Sequence, residues 1–411
     1  MKSMNLKHLE VIAKKSKYYP LYLIYFLSGF VKRDKNTWIF GTYNAGFGDN
    51  SKYLYLYLEK NYPEIKIIWI TRKKANLNFL KSKGINAFYK KSIKGIFSIL
   101  RASIIFSNTN IEDVSYWFSR GAKFVNLWHG VPLKKIEFDI KFGKIAWKFQ
   151  YRNKFEKFVK TLIFPGLYRH PDFLLIPSEY MEKFFTSAFK IKEKNVLIGE
   201  YPRNSIFKYP KEELLKLISR FESKATFELV KSLSKYRKIF VYLPTFRDGK
   251  SKFFEDSGIN FAQLDRLGKD KNFLFLIKLH PTTSKKIINL SQFSNIKLLD
   301  SKVDIYPILP FTDVLISDYS SIFFDYLLLN KEIIFFPFDL DEYMLKSRKM
   351  YFDYDGIIVG KKCNSFKELI QAIEDSDNLD FSKKRIELRN KIWGKDVFSI
   401  DDNIKFLLEK V

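Results

Sequence analysis

Short apolar runs alternate with helix-compatible stretches along most of the chain, starting near residue 37. These runs are too short for buried helices and end in polar or glycine-containing turns, so each predicts a strand. In the first half of the chain we predict strands at residues 38–40, 65–70, 85–89, 103–106, 124–128, 172–177 and 195–198. Strands that alternate with helices in this way predict a parallel sheet covered by helices.

A second series of apolar runs follows a polar, helix-rich interval at residues 211–236. It predicts strands at residues 238–243, 273–277, 296–299, 314–316 and 332–336. A chain of 411 residues exceeds a usual single domain. We therefore predict an N-terminal segment (1–35), a first α/β domain (36–206), a helical connection (207–235), a second α/β domain (236–395) and a C-terminal helix (396–411).

The positive charge is concentrated in the first half. The net charge is +27, and residues 1–170 hold 32 Lys and Arg against 10 Asp and Glu. Such a surplus predicts an anionic partner: nucleic acid, an acidic membrane surface or a phosphate-rich polymer. The single cysteine, Cys363, excludes an internal disulfide and any multi-cysteine metal site, which agrees with a reducing cytoplasm.

Two basic, aromatic segments favour the membrane among these partners. Residues 19–31 are apolar and flanked by lysines, but are too short to span a bilayer, which needs about 20 residues. They are consistent with a helix packed on the protein, an interfacial anchor or a signal-peptide core. In 141–169, positions 142, 145, 149, 155, 158 and 162 share one predicted helical face among lysines. This pattern is typical of interfacial helices as well as of ordinary surface helices. No nucleic-acid-binding motif is present, so we expect no nucleic-acid partner.

The stretch 313–331 reads as a buried strand, a polar turn and a helix. Ser320 and Ser321 would lie at the helix N-terminus, where free N–H groups favour an anion such as phosphate, although serines also cap helices without a ligand. Asp325, four residues after Ser321, would share their helix face. The glycine-rich turn at 41–48 lacks dinucleotide-loop spacing, and we interpret it as a tight turn.

Other polar clusters also follow predicted strands. They are Pro244-Thr245-Phe246-Arg247, Lys278-Leu279-His280 and His129. Because the carboxyl ends of parallel strands share one edge of a sheet, the clusters of the second domain can converge on a diphosphate site. His129 precedes Gly130 in a loop, where it could act as a general base or simply stack on Trp128.

Five motifs in order resemble the CDP-glycerol glycerophosphotransferase family, whose members prime and polymerise teichoic acids and related capsular polymers. They are Trp-His-Gly-Val-Pro-Leu-Lys-Lys at 128–135, Tyr-Pro-Arg-Asn at 201–204, Leu-Pro-Thr-Phe-Arg at 243–247, Lys-Leu-His-Pro at 278–281 and Ser-Asp-Tyr-Ser-Ser-Ile-Phe-Phe-Asp-Tyr at 317–326. The resemblance implies a GT-B architecture, in which two Rossmann-like domains with parallel sheets face a cleft. It also implies peripheral, monotopic attachment to the cytoplasmic face of the cell membrane.

By the same resemblance, the protein would transfer a polyol phosphate from CDP-glycerol or CDP-ribitol to a hydroxyl of a lipid-linked or polymer acceptor, releasing CMP. His129 would be the catalytic base and His280 would assist at the donor phosphates. The implied donor-binding residues are Trp128, Gly130, Arg203, Pro244, Thr245, Arg247, Lys278, Ser320, Ser321 and Asp325. We expect no cofactor and no metal, although Asp339-Leu340-Asp341 could mimic a metal motif.

The sequence departs from the family pattern at three places. Glu137 stands where the family usually has glycine, Ser205 where aspartate is usual, and residues 356–359 replace an expected Pro-Gly-Pro. These departures leave the acceptor and the polyol open. A GT-B glycosyltransferase with a nucleotide-sugar donor is one alternative. A non-enzymatic protein that binds membrane or an anionic polymer is the other.

Overall fold

The structure, a computed structural model, describes residues 20–43, 46–143, 145–245, 247, 253–279, 289–346, 349–395 and 399–410. The chain packs as two compact α/β units. The described parts of Met1–His129, Ile136–Arg203 and Asp396–Val411 form the first unit. Those of Gly130–Lys135 and Asn204–Lys395 form the second.

The first unit is built around a seven-stranded sheet in which every pair of neighbouring strands is parallel. Its strands are β1 (Asp34–Phe40), β2 (Lys66–Thr71), β3 (Ala87–Tyr89), β4 (Ala102–Ser107), β5 (Lys123–Asn126), β6 (Phe173–Ile176) and β7 (Val196–Ile198). The order β3-β2-β1-β4-β5-β6-β7 is that of a Rossmann-type sheet. Most strand residues are buried because helices cover the sheet, which explains their continuous apolar character.

The helices of the first unit mostly fill the crossovers between these strands. They are α1 (Leu21–Ser28), α2 (Asp49–Asn61), α3 (Lys74–Ser82), α4 (Ile93–Arg101), α5 (Ala146–Phe149), α6 (Lys154–Ile163), α7 (Pro165–Tyr168), α8 (Glu179–Phe189) and, near the end of the chain, α18 (Ile400–Leu408). The C-terminal helix is fastened to α2 and the residue that follows it, because Asp401 accepts hydrogen bonds from Tyr57 (3.0 Å) and Tyr62 (2.6 Å).

The expectation of one continuous apolar face over positions 142–162 is wrong. The segment forms two separate helices, α5 and α6, because the chain leaves the first at Gln150 and Asn153 caps the second. A third short helix, α7, follows at Pro165. Phe149 is buried with Phe138 and Tyr168, whereas Phe155 and Phe158 are 75% and 60% exposed. The aromatic residues therefore serve two different surfaces.

The second unit has a six-stranded parallel sheet of the same topology, in the order β10-β9-β8-β11-β12-β13. Its strands are β8 (Lys238–Tyr242), β9 (Phe273–Lys278), β10 (Ile296–Leu299), β11 (Val314–Ser317), β12 (Glu332–Phe335) and β13 (Lys361–Lys362). Its helices are α9 (Pro202–Ser205, shared with the first unit), α10 (Lys211–Phe221), α11 (Lys224–Ser232), α12 (Phe253–Asp256), α13 (Phe261–Lys271), α14 (Ile322–Tyr326), α15 (Leu340–Lys346), α16 (Phe366–Glu374) and α17 (Ser382–Trp393).

Two sheets of Rossmann topology confirm the prediction of two parallel α/β domains, of GT-B-like type. The prediction missed one strand, β13, because its two residues are lysines on the sheet edge. Over the described ranges, no helix has the length and apolar character needed to cross a membrane.

Candidate functional site

The loop after β5 turns sharply at two residues and leaves His129 exposed between them. Trp128 has a left-handed backbone (φ 50°) and is only 3% exposed. Gly130 has φ 132°, a conformation that side-chain-bearing residues rarely adopt. Asn126 holds the turn, since its Oδ1 accepts the N–H of Trp128 at 2.8 Å. The side chains of Trp128 and His129 therefore have opposite environments, one buried and one facing solvent.

A backbone carbonyl orients the His129 ring. Nδ1 lies 3.0 Å from the carbonyl oxygen of Asn108, which can only accept a hydrogen bond. Neutral His129 therefore carries its proton on Nδ1 and its basic lone pair on Nε2. The ring also packs on Trp128, with centroids 3.9 Å apart. The stacking that we considered as an alternative to catalysis is present, but it leaves the tautomer suited to proton abstraction.

Asn50 and Arg203 support this loop from inside the protein. Asn50 is fully buried, and its Nδ2 donates to the carbonyls of Leu127 (3.1 Å) and Trp128 (3.0 Å). The Nη1 of Arg203 donates to the His129 carbonyl at 2.8 Å and pairs with Asp49 at 2.7 Å. Arg203 is 3% exposed. We predicted that Arg203 binds the donor substrate. In the structure, its guanidinium group contacts the backbone of the candidate base, His129.

Sequence reasoning missed four residues of this arrangement. They are Asp49, Asn50, Ser51 and Asn108. Ser51 donates to the Oδ1 of Asn108 through its N–H (3.1 Å) and its Oγ (2.7 Å), which fixes the residue whose carbonyl orients His129. The available signal was the polar run that follows Gly48 at the start of α2, immediately after a predicted strand and turn. We interpreted that turn only as a place for glycine.

In the second unit, the side chain of Asp318 organises the ends of β8 and β11. It is fully buried and accepts hydrogen bonds from the N–H (3.0 Å) and the Oγ1 (2.6 Å) of Thr245 and from the N–H of Tyr319 (2.6 Å). Its second oxygen pairs with Arg247. The Tyr354 hydroxyl donates to the backbone carbonyl of Asp318 at 2.9 Å. Asp318 thus fixes the predicted Thr245 cluster beside the turn that leads to Ser320.

Arg247 is buried between two carboxylates. The side chain is 5% exposed, and its guanidinium group bridges Asp318 and Asp339, with Nη2 2.8 Å from the Asp339 carboxylate. Burial alone would lower the pKa of Arg247, but the two carboxylates raise it above its ordinary value. Asp339 also accepts a hydrogen bond from the Tyr319 hydroxyl at 3.1 Å. This carboxylate, which we considered as part of a metal motif, is therefore engaged by an arginine and a tyrosine.

Lys278 differs from Arg247 in having no counter-ion among the described residues. It ends β9, which neighbours β8, and its side chain is largely buried. Its ammonium group makes no hydrogen bond or ion pair with any residue that the structure describes. Burial lowers its pKa, although Asp304, Glu222 and Asp300 partly oppose the shift. A desolvated ammonium of this kind favours an anionic ligand.

Ser320 and Ser321 occupy the predicted position. Both are partly exposed, Ser321 immediately precedes α14, and within the described chain neither hydroxyl has a hydrogen-bond partner. Pro244 is also partly exposed, at the end of β8. Since β9, β8 and β11 are consecutive in the sheet, Lys278, Pro244-Thr245 and Ser320-Ser321 follow three adjacent strands.

Asp325, another predicted donor-binding residue, lies elsewhere. Asp325 is 1% exposed and accepts hydrogen bonds from Asn204 (2.8 Å) and Tyr306 (3.2 Å), so its carboxylate is held inside the second unit. His280 lies outside the described residues, and its role stays a prediction. Within those residues, no group of three or more metal-binding side chains is found.

The chain matches the family described as CDP-Glycerol:Poly(glycerophosphate) glycerophosphotransferase over residues 23–397. It belongs to this family. The resemblance seen in the five sequence motifs is thereby confirmed, and with it the class of enzyme, a transferase.

Named relatives of this glycerophosphotransferase family member act in teichoic acid synthesis. The chain is 26% identical over 360 residues to the teichoic acid poly(glycerol phosphate) polymerase of Bacillus subtilis, covering 84% of this chain and 45% of that protein. It is 27% identical to the teichoic acid glycerol-phosphate transferase of Staphylococcus aureus, over 85% of each chain. The chain thus spans less than half of the first relative and most of the second.

The fold is similar to that of the wall teichoic acid polymerase TagF. A structure of a histidine-to-asparagine variant of TagF with CDPG superposes with a TM-score of 0.71 and 22% identity, covering 99% of this chain and 98% of that one. This similarity supports the GT-B-like assignment of the two units.

Proposed function

We propose that this glycerophosphotransferase family member transfers glycerol phosphate from CDP-glycerol to a hydroxyl group of a lipid-linked or polymer acceptor, with release of CMP. The observation that carries the proposal is the family match over residues 23–397. The names of the relatives, which specify glycerol phosphate, and the CDPG in the TagF structure support the choice of donor.

In this proposal the second unit binds the donor diphosphate. Lys278 supplies the positive charge, and the N–H and hydroxyl groups of Ser320 and Ser321 donate to phosphate oxygens. Pro244 and Thr245 form the wall between them. Arg247 acts through Asp318, by fixing the Thr245 segment, and its charge is already balanced by two carboxylates. His280 would assist at the phosphates, as the motif implies.

The first unit supplies the base. Nε2 of His129 takes the proton of the acceptor hydroxyl, and the resulting oxygen nucleophile attacks the β-phosphorus, which carries the glycerol. The bond from this phosphorus to the bridging oxygen breaks, and CMP leaves with that oxygen. Arg203 and Gly130 set the backbone of the loop, and Trp128 sets the ring plane of His129.

Donor profiling tests this function. The purified protein is incubated with an acceptor and CDP-glycerol, CDP-ribitol or a UDP-sugar, and release of CMP or UDP is followed. We expect CMP release from CDP-glycerol, with and without EDTA. Turnover of the UDP-sugar alone would instead assign the chain to the glycosyltransferases. Binding of anionic polymer without any turnover would support the non-enzymatic alternative.

We also propose peripheral attachment to the cytoplasmic face of the cell membrane. Exposed apolar side chains on and after α1 (Leu27, 53%; Phe30, 75%) and on α6 (Phe155, 75%; Phe158, 60%) support it. The Tyr22 hydroxyl joins these helices by donating to the Leu162 carbonyl at 2.9 Å. Apolar side chains set among lysines suit an interface with anionic lipid.

Vesicle sedimentation tests this attachment. The double substitution Phe155→Ser and Phe158→Ser should weaken binding to anionic vesicles by about tenfold or more, because two apolar side chains no longer enter the interface. Leu345→Ser is the matched control, since Leu345 is 88% exposed in the second unit. Equal loss in the control, or none in the double variant, would contradict the proposal.

A further inference from the structure

The first unit contains a cavity of about 280 Å³ whose lining side chains take no part in the transfer step proposed above. Its lining residues come from the ends of β2 and β3, from the segment 112–117 that follows β4, and from α6 and α7. They are Arg72, Lys90, Glu112, Tyr116, Trp117, Leu162, Ile163 and Pro165. Arg72 follows β2 and Lys90 follows β3, so the cavity lies at the carboxyl edge of the sheet, where α/β proteins bind ligands.

The charges in this cavity favour an anion. The Lys90 ammonium is partly buried, and in the described part of the chain no side chain or carbonyl hydrogen-bonds or ion-pairs with it. Burial lowers the pKa of Lys90 to about 8, and the charge of Arg72 acts in the same direction. Because this value still lies above neutral pH, the ammonium group remains mostly protonated there. The Arg72 guanidinium donates to the carbonyl of Tyr43.

The neighbouring carboxylates do not neutralise Lys90 by direct contact. Glu112 is exposed at the cavity rim and forms no ion pair among the described residues. Asp113 is buried, but it is bound by the N–H of Thr109 (3.1 Å) and the Thr109 hydroxyl (2.9 Å). A partly desolvated ammonium without a direct counter-ion is unfavourable, and an anionic ligand would offset that cost.

The walls connect the cavity to the helices that we assign to the membrane. Trp117 contacts Tyr22 of α1 edge to face, with ring centroids 5.1 Å apart. Leu162 and Ile163 belong to α6, which carries the exposed Phe155 and Phe158. A ligand in this cavity would therefore lie beside the part of the protein that contacts lipid.

We propose that this cavity binds a phosphate ester of the acceptor, further along the acceptor than the hydroxyl group that attacks the donor. The inference rests on the proposed function. Arg72 follows β2 and His129 follows β5, and the sheet order puts β1 and β4 between them. Three strand spacings amount to roughly 14 Å. The bound phosphate would thus be separated from the reacting hydroxyl by an intervening length of the acceptor molecule. This separation favours an acceptor that already carries phosphate over a simple alcohol.

Direct binding tests the site without catalysis. A short, defined glycerol phosphate oligomer is titrated into the full chain by calorimetry, without donor or membrane. Lys90→Gln should weaken binding by roughly tenfold to a hundredfold, as expected when a charge-assisted contact is lost. Lys90→Arg should restore much of it. Lys66→Gln is the matched control, because it removes the same charge from the opposite end of β2 and should leave affinity within about twofold.

A second arm identifies the source of the phosphate. Anionic vesicles replace the oligomer, and a Lys90→Gln defect confined to vesicles would assign the cavity to lipid headgroup phosphate. In turnover assays, the same substitution should raise KM for the acceptor and leave KM for CDP-glycerol within about twofold. Unchanged binding of both ligands by a folded Lys90→Gln protein would overturn the proposal. Because the titration needs no donor, failure to use CDP-glycerol would not affect its outcome.

Discussion

Around His129 in the first unit, amides and one partly exposed ion pair hold the loop, whereas around Asp318 in the second unit charged side chains are buried together. The carboxylate that pairs with Arg203 is 29% exposed. The two that pair with Arg247 are 0% and 7% exposed. Left-handed backbone differs as well: in the first unit it occurs at Asp49, Trp128, Glu137 and Lys190, and in the described second unit only Asn272 and Asn330 among non-glycine residues adopt it.

The difference shows two ways of fixing a loop at a strand end. The first unit accepts backbone strain, about 1–2 kcal/mol for a non-glycine residue, and presents one oriented imidazole. The second unit accepts the desolvation of charges and holds Thr245 beside the turn to Ser320. In both units the arginine of a conspicuous motif points inward. Lys278, which the same motifs also contain, makes no ion pair with the described residues of the second unit.

The largest expected effect comes from removing the proposed base of the first unit. His129→Ala should lower kcat by about 10³-fold, because proton transfer by a positioned side chain contributes on the order of 10²–10⁴. The thermal midpoint and the KM for CDP-glycerol should change little, since the ring is exposed and its loop is held through backbone atoms. CMP release from CDP-glycerol in the presence of acceptor measures the effect. Full activity in this variant would disprove the catalytic assignment.

The next effect compares how much the interactions around His129 and those around Asp318 contribute to stability. Asp318→Asn should destabilise the second unit by about 3 kcal/mol, because it leaves Arg247 with one buried partner and weakens the bonds to Thr245. Asp49→Asn should cost about 1 kcal/mol or less, since Asp49 is partly solvated. Urea denaturation measures both.

Tyr354→Phe is the control for the second network, since it removes one hydrogen bond to the Asp318 carbonyl and no charge. It should cost about 1 kcal/mol. If Asp49→Asn proved as costly as Asp318→Asn, the proposed distinction between the two units would be wrong.

Apolar runs predicted the central strands well because burial on both faces of a parallel sheet leaves a continuous signal, as in β8 and β11. They also located His129, Lys278 and the serines, since polar residues at strand ends follow directly from that pattern. The partners of these residues could not be found in the same way. Asn50 and Asn108 are far apart in sequence from His129, and an internal amide differs from a surface amide only in its three-dimensional contacts.

The arginines show the same limit in another form. Arg247 lies in a motif that implies phosphate binding, and only the structure reveals that Asp318 and Asp339 neutralise it. Likewise, the sequence does not indicate the left-handed backbone of Trp128, because the residue at this position is neither glycine nor asparagine.

A smaller effect is expected at Lys278, the lysine that we propose binds the donor phosphates. Lys278→Gln should raise KM for CDP-glycerol by roughly tenfold to a hundredfold, because a charge-assisted contact to phosphate is lost. Lys271→Gln, just before the opposite end of β9, is the matched control and should have almost no effect. An equal rise in both variants would point to general electrostatic attraction rather than a specific contact.

The pH dependence of donor binding sharpens this assignment. Because burial lowers the pKa of Lys278, its positive charge is lost at a lower pH than that of an ordinary lysine, with Asp304, Glu222 and Asp300 opposing the shift. KM for CDP-glycerol should therefore rise as the pH increases through this lowered pKa. The rise should be absent in Lys278→Gln, whose affinity is already low at neutral pH.

The smallest effect tests the strain in the first unit at Glu137, which has φ 44° and stands where the family usually has glycine. Glu137→Gly should be more stable than Glu137→Ala by about 1 kcal/mol, because alanine keeps the Cβ that disfavours this conformation. Comparing two variants that both lack the carboxylate isolates the backbone contribution from any contact of the glutamate. At Asn330 of the second unit (φ 50°), the reference asparagine already tolerates the left-handed region, so Asn330→Gly should gain little over wild type. Thermal denaturation of the four proteins measures the effect. If Glu137→Ala were as stable as Glu137→Gly, the backbone at this position would not be strained.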